Sequence, residues 1–181
     1  MSIMRAMIIG LSGKKRAGKN TTYMLSKLLL DEDETGRVVR VAFADALKDM
    51  ARKDFAWDGK KDARGRKLLQ DLGVSKREED EHYWVNKTIA QIESLDVTGV
   101  PEVIFISDVR FPNEAEAIRR MGGVVWRINR PGLVHTDTHI SETALDDYMF
   151  DFVIEADSLE EKFTRVKDGL ALLGLYQPEV Q

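Results

Sequence analysis

The sequence predicts an α/β fold of three layers, a parallel, five-stranded sheet between helices, with a helical insert. Three observations lead there. Short apolar runs alternate along the chain with segments of helical period. The first run, Arg5 to Ser12, is apolar almost throughout, as in strands covered on both faces. That run opens directly onto G-K-K-R-A-G-K-N-T, Gly13 to Thr21, and then onto a helical pattern. Strand, glycine loop and helix in that order form the setting of a phosphate-binding P-loop.

Asn20 to Leu30 reads as a helix with Met24, Leu25, Leu28 and Leu29 on one face. Asp31 to Gly36 is an acidic turn, and Arg37 to Phe43 a second strand. Ala44 to Trp57 is expected to be helical. Asp58 to Gly65 reads as a charged loop, and Arg66 to Leu72 as a short helix stopped by Gly73. Ser75 to Asp80 reads as a turn. Tyr83 to Leu95 returns to helix, with Val85, Ile89 and Ile92 on one stripe. Three helical segments exceed what a crossover needs, so about 44–97 is expected to be an insert within a single domain spanning 1–181.

Glu102 to Ser107 is the third strand and ends on Asp108. Pro112 suits the first turn of the next helix, where its missing N–H leaves nothing unpaired. That helix runs to Met121 and stops at Gly122-Gly123. Val124 to Ile128 is a fourth strand. The polar stretch 129–143 is long for a structureless connection and is expected to be a lid. Phe152 to Ile154 is a fifth strand. Ser158 and Glu161 form a capping box for the last helix, which carries Leu159, Phe163, Val166, Leu170 and Leu173 on one face.

The chemistry concentrates in the glycine loop. Gly13 and Gly18 allow a tight turn and close approach of a ligand. The loop's N–H groups converge on an anion with the positive end of the following helix behind them. Lys19 supplies a mobile charge for outer phosphates, and Lys14, Lys15 and Arg16 add three cations, so the loop suits a polyphosphate. The motif places Ser or Thr directly after its lysine to meet Mg²⁺. Here Asn20 stands there and Thr21 follows. An amide oxygen is also a ligand for a hard cation.

Ligands of such sheets bind at the carboxyl ends of the strands, so Gly13, Asp45, Asp108 and Arg130 are expected at one rim. Asp108, closing an apolar strand, stands where a carboxylate would hold Mg²⁺. Two readings stand for Arg110: a phosphate grip, or an ion pair with Glu114. Arg127 and Arg130 flank the expected lid, either as cations that close over a transferring group or as solvated charges. His135 and His139, with Asp137 between them, lack the helical spacing and third ligand of a metal site. Glu142 is expected either to cap a short segment with Ser141 or to meet a ligand or basic residue, and Asp146 and Asp147 to cap or stay solvated. Trp57, Trp84 and Trp126 read most simply as packing residues. Lys48, Lys60, Lys61, Arg64, Arg66 and Lys67 form a second cationic group in the insert.

A net charge of -4 argues against a general nucleic-acid surface. With no Cys in the chain, disulfides and thiolate zinc sites are excluded, consistent with a reducing compartment. No apolar run is of membrane-spanning length, and no signal-peptide pattern is expected at the N-terminus. With 43% hydrophobic and 32% charged residues over 181, the chain has the composition of a globular domain with a sizeable core.

Several motifs resemble one family. They are the loop at Gly13 to Thr21, F-A-D-A-L-K at Phe43 to Lys48, and R-G-R-K-L-L-Q at Arg64 to Gln70. D-V-R-F-P-N-E-A-E at Asp108 to Glu116, R-P-G at Arg130 to Gly132 and H-I-S-E-T-A-L-D-D at His139 to Asp147 complete the set. The chain resembles the deoxynucleoside monophosphate kinases of tailed bacteriophages, with Asn20 in place of the Asp usual there. The resemblance implies the P-loop kinase fold and ATP-dependent phosphorylation of deoxynucleoside 5′-monophosphates with Mg²⁺. It implies that Gly13, Lys14, Lys15, Ala17, Gly18, Lys19, Asn20 and Thr21 bind ATP. Asn20, Thr21 and Asp108 would serve the metal, and Lys19, Arg16, Arg110, Arg130 and Asp108 would act in catalysis. Asp45, Lys48, Arg64, Arg66, Arg110 and Glu142 would line the acceptor side. Partners are expected to be small nucleotides, with neither nucleic acid nor membrane, and a homodimer is the candidate assembly. Location is expected to be cytoplasmic, in a host cell if the gene is a phage's. A similar basic loop occurs in animal phosphomevalonate kinase, so another phosphorylated metabolite is the alternative acceptor. A nucleotide-binding regulatory module without transfer is the reading from a different class.

Overall fold

The computed structural model describes residues 6–31, 37–98, 102–134 and 136–177. Five strands form one parallel sheet: β1 (Met7–Ser12), β2 (Val38–Val41), β3 (Val103–Val109), β4 (Val124–Asn129) and β5 (Phe152–Glu155), in the order β2-β3-β1-β4-β5. Alternate residues of the inner strands serve opposite faces. Ile8, Ile104 and Ile106 join one core with Val85, Ile92 and Ile118, while Ile9, Leu11 and Phe105 join the other with Trp126, Val166 and Leu170. Both faces are apolar because both are covered, giving three layers.

Helix α1 (Lys19–Leu30) and helix α7 (Leu159–Leu172) cover the second face. On the first face lie α2 (Phe43–Phe55), α4 (Tyr83–Thr98) and α5 (Pro112–Arg120). The chain leaves β1 toward β2 on one side and leaves β3 toward β4 on the other. The crevice between the carboxyl ends of β1 and β3 is therefore the point where ligands settle in an open α/β sheet.

Two expectations about the helices are corrected. Leu25 and Leu29 pack on the core as expected, but Met24 and Leu28 are 59% and 57% exposed, and α1 buries Thr22 and Ser26 as well. Their hydroxyls donate to the carbonyls of Gly18 (3.1 Å) and Thr22 (2.9 Å), so small polar residues are buried without leaving a hydroxyl unpaired. Helix α3 (Ala63–Glu79) runs unbroken through Gly73 and absorbs the turn expected at Ser75 to Asp80. A helical glycine costs only about 1 kcal/mol relative to alanine. The packing of α3 on a small core of Ala51, Trp57 and Leu72 outweighs that, and the carbonyl of Gly73 accepts from the indole of Trp84 at 3.3 Å. Gly65 falls inside α3 rather than in a loop, where Trp57 and the Lys60 carbonyl occupy the space of a side chain.

The remaining elements follow the sequence closely. Ser158 and Glu161 close the capping box of α7. The polar stretch after β4 is irregular until a four-residue helix, α6 (Ile140–Thr143), capped by the His139 ring on Ser141 N–H. The acidic turn at 32–36 and His135 lie outside the described residues. Trp57, Trp84 and Trp126 are all buried.

Candidate active site

The glycine loop sits at the end of β1 and turns directly into α1. At Gly13 the backbone has φ of 156°, and a Cβ would lie 2.5 Å from the carbonyl oxygen of Ile128. Gly18 caps α1 at φ of 101°, in the left-handed region, and no side chain caps the first turn. Arg16 is also left-handed, with φ of 67°, unusual for a residue with a Cβ. The loop thus exposes backbone donors at a helix N-terminus, the arrangement that receives phosphate.

Lys19 folds back over this loop. Its Nζ donates to Gly13 O (2.5 Å) and Lys14 O (3.0 Å). Burial lowers its pKa to about 8, and the nearby Arg110 adds to that.

Two clefts flank the loop. The larger, about 540 Å³, is lined by Lys19, Asn20, Arg40, Lys48, Asp108 and Arg110, and by Lys61, Tyr23 and Met24 among others. The smaller, about 260 Å³, is lined by Lys14, Ala17, Arg127, Arg130, Leu133 and Glu155 among others. Arg110 and Arg130, expected to work together, border different clefts.

Asp108 faces the larger cleft from the end of β3 and caps α2, accepting from Phe43 N–H (2.8 Å) and Ala44 N–H (2.9 Å). Burial pushes its pKa up, and these two donors only partly offset the shift. A carboxylate has about four acceptor positions, so the cap leaves some for the cleft. Asn20 and Asp108 share this cleft, whereas Thr21 is not among its lining residues. Among the described residues no three or more His, Asp or Glu side chains cluster as a metal site.

Arg110 does not pair with Glu114 through its side chain. Its guanidinium meets the carboxylate of Glu142 and lies 3.5 Å from Ser141 Oγ. Glu114 instead accepts the backbone N–H groups of Arg110 (2.8 Å) and Phe111 (3.1 Å), fixing the turn that aims Arg110. Burial raises the Glu114 pKa to about 7.

The end of the expected lid, with the residues just after it, docks on the glycine loop. Glu142 accepts from Lys15 N–H at 2.9 Å. Burial alone would raise its pKa, but that N–H and Arg110 hold it below the ordinary value. Asp146 pairs with Lys14 at 2.5 Å and with Arg127 at 3.3 Å, so it is neither a cap nor merely solvated. Lys14 also donates to the Glu142 carbonyl at 2.6 Å. Its charge is therefore held by that segment, while Lys15 and Arg16 are exposed.

On the insert side, Asp45 pairs with Lys48 at 3.2 Å. Arg64 and Arg66 are exposed on α3 and line neither cleft. Sequence reasoning missed Arg40, whose Nη1 donates to Ser107 Oγ at 2.7 Å and whose Nη2 lies 3.9 Å from Asp45. The signal was available: an arginine near the carboxyl end of an otherwise apolar strand.

A family model described as deoxynucleotide monophosphate kinase matches residues 43–166, more than half of the chain. The span runs from α2 into α7, and the glycine loop precedes it. The deoxynucleotide monophosphate kinase of Enterobacteria phage T4 is 36% identical over 112 residues, covering 60% of this chain and 46% of that protein. A protein of Acanthamoeba polyphaga mimivirus, provisionally given the same name, is 27% identical over 188 residues, covering 87% of this chain and 92% of its own length. Among solved structures, an APS kinase of Mycobacterium tuberculosis in complex with AMPPNP and APS is similar in fold. Its TM-score is 0.52 at 14% identity, covering 92% of this chain and 98% of that one. A sugar kinase from Janibacter, at a TM-score of 0.50 and 14% identity, covers 96% and 99%.

Proposed function

The chain belongs to the deoxynucleotide monophosphate kinase family, and on that premise we propose that it transfers the γ-phosphoryl group of ATP to a deoxynucleoside 5′-monophosphate. The observation that carries the reading is the glycine loop standing between two cationic clefts. A kinase acting on a phosphorylated acceptor needs two anion sites that meet at one phosphoryl group. ATP binds with its phosphates on the loop and the rest of the molecule toward the smaller cleft. The acceptor enters the larger cleft, where Arg40, Lys48 and Arg110 face its phosphate and Lys61 is also on the lining.

An oxygen of the acceptor phosphate attacks the γ-phosphorus, the bond to the β–γ bridging oxygen breaks, and ADP leaves. The acceptor phosphate is already ionised near neutral pH, so the step requires no strong general base. Catalysis is then positioning and charge stabilisation. Lys19 exchanges two loop carbonyls for phosphate oxygens. Arg110 leaves Glu142 for the transferring group. Arg130, exposed at the mouth of the smaller cleft, closes from the donor side. Asn20 and Asp108 supply hard oxygen donors suited to Mg²⁺. When bound, Mg²⁺ offsets charge on the donor phosphates.

Incubating the protein with ATP, Mg²⁺ and each deoxynucleoside monophosphate tests the reading. Diphosphate products are expected. Transfer only to another phosphorylated metabolite, or ATP binding with no transfer to any acceptor, would overturn it.

Two further outcomes follow from the loop. Asn20→Ser is expected to preserve or raise turnover, because a hydroxyl restores the motif's usual oxygen; a folded but inactive variant would contradict the role given to Asn20. The second concerns pH. Only the ammonium form of Lys19 attracts phosphate, and its folded pKa of about 8 lies below the ordinary 10.5. The charge is present below that pH and lost as pH rises through it. Donor affinity should therefore fall above about pH 8, by up to about tenfold per unit, with proton uptake on binding. Calorimetry of a non-hydrolysable ATP analogue in buffers of differing ionisation enthalpy measures both effects. A flat affinity up to pH 10 would exclude Lys19 as the titrating contact.

A further inference from the structure

Lys162, a lysine on α7 with no part in the proposed transfer, is only 6% exposed. Its Nζ lies under the glycine loop and donates to Ala17 O at 3.1 Å. The loop is shaped around it. A Cβ at position 18 would lie 2.7 Å from this Nζ and 3.2 Å from its Cε. Gly18 therefore serves two needs: the left-handed turn that opens α1, and room for a lysine arriving from 144 positions further along the chain. Burial lowers the Lys162 pKa, and the neighbouring Arg130 charge adds to that.

A buried ammonium is a poor choice if the position only fills space. Desolvating it is unfavourable, and exchanging buried charge for apolar volume is often neutral or stabilising. What an amine adds here is a bond to the loop backbone and a fixed positive charge behind the donors that receive phosphate. Ala17, which it holds, lines the smaller cleft together with Arg130.

We propose that Lys162 is a positioning residue for the donor nucleotide: it fixes the Ala17–Gly18 turn from beneath and adds positive potential to the phosphate site without touching the ligand. The inference rests on the proposed function, since it presumes that the loop binds ATP. It predicts an effect on donor affinity separate from any effect on stability.

The test compares Lys162→Met and Lys162→Gln with the wild-type chain by thermal unfolding, binding of a fluorescent ATP analogue (mant-ATP) and acceptor KM. Lys162→Met is expected to unfold at the wild-type temperature or above, yet to bind mant-ATP roughly five- to fiftyfold more weakly, the scale of one nearby charge at a partly screened site. Acceptor KM should change little. Lys162→Gln, which keeps a polar donor one atom shorter but carries no charge, is expected to fall between the two. Wild-type mant-ATP affinity in a folded Lys162→Met would overturn the proposal. If that variant does not fold, wild-type affinity in Lys162→Gln with a lowered unfolding temperature would overturn it equally, by making the residue purely structural. A wild-type chain that fails to bind mant-ATP would overturn the proposed function itself, a result distinct from equal binding by wild type and variants.

Discussion

Lys19→Ala is expected to keep its fold and lose transfer activity by on the order of a thousandfold, the scale seen when a group stabilising transition-state charge is removed. The asymmetry has a structural reason. Among the described residues the Lys19 amine bonds to Gly13 O and Lys14 O, carbonyls of the loop itself, and belongs to no apolar core. Truncation leaves those carbonyls to water, so stability should change little. In the proposed reaction the same amine meets the outer phosphates of ATP, and truncation removes that charge from the transition state. Thermal unfolding with steady-state turnover decides the matter. Near-normal turnover in a folded variant would end the P-loop reading.

Arg110→Ala should lose roughly a hundred- to a thousandfold in kcat, with a smaller change in donor affinity. Arg110 faces the larger cleft, and its backbone is fixed by Glu114. The turn should therefore persist when the side chain is cut. The guanidinium meets Glu142 through Nη1, so a phosphate that takes that nitrogen displaces a carboxylate. That exchange favours contact with the more highly charged transferring group and places the loss in kcat rather than in ATP binding. A mutant with unchanged kcat and weakened ATP binding would make Arg110 a ground-state contact.

Much of the fold could be read along the chain because its causes are local. Glycine at 13 and 18, with an apolar run before and a helical period after, specifies strand, loop and helix within about twenty residues. Pro112 at the start of α5 and the Ser158–Glu161 box at α7 mark helix ends by backbone chemistry that needs no distant partner. Apolar strands alternating with helices implied the parallel, helix-covered sheet, and the place of Asp108 at its rim followed.

The tertiary structure decided what depends on strand order. Which face of α1 is buried depends on what lies opposite, and packing against the sheet and α7 selected Thr22 and Ser26 over Met24 and Leu28. α3 continues through Gly73 because the insert's own core outweighs a local propensity. Lys14 with Asp146, Lys15 with Glu142, and Lys162 with Ala17 are each joined across more than a hundred residues. Sequence periodicity carries no information about such pairs. They arise because β1 lies between β3 and β4, so segments far apart in the chain converge on one loop. The sequence by itself determined a glycine loop between strand and helix; only the folded sheet decided which distant side chains hold it in shape.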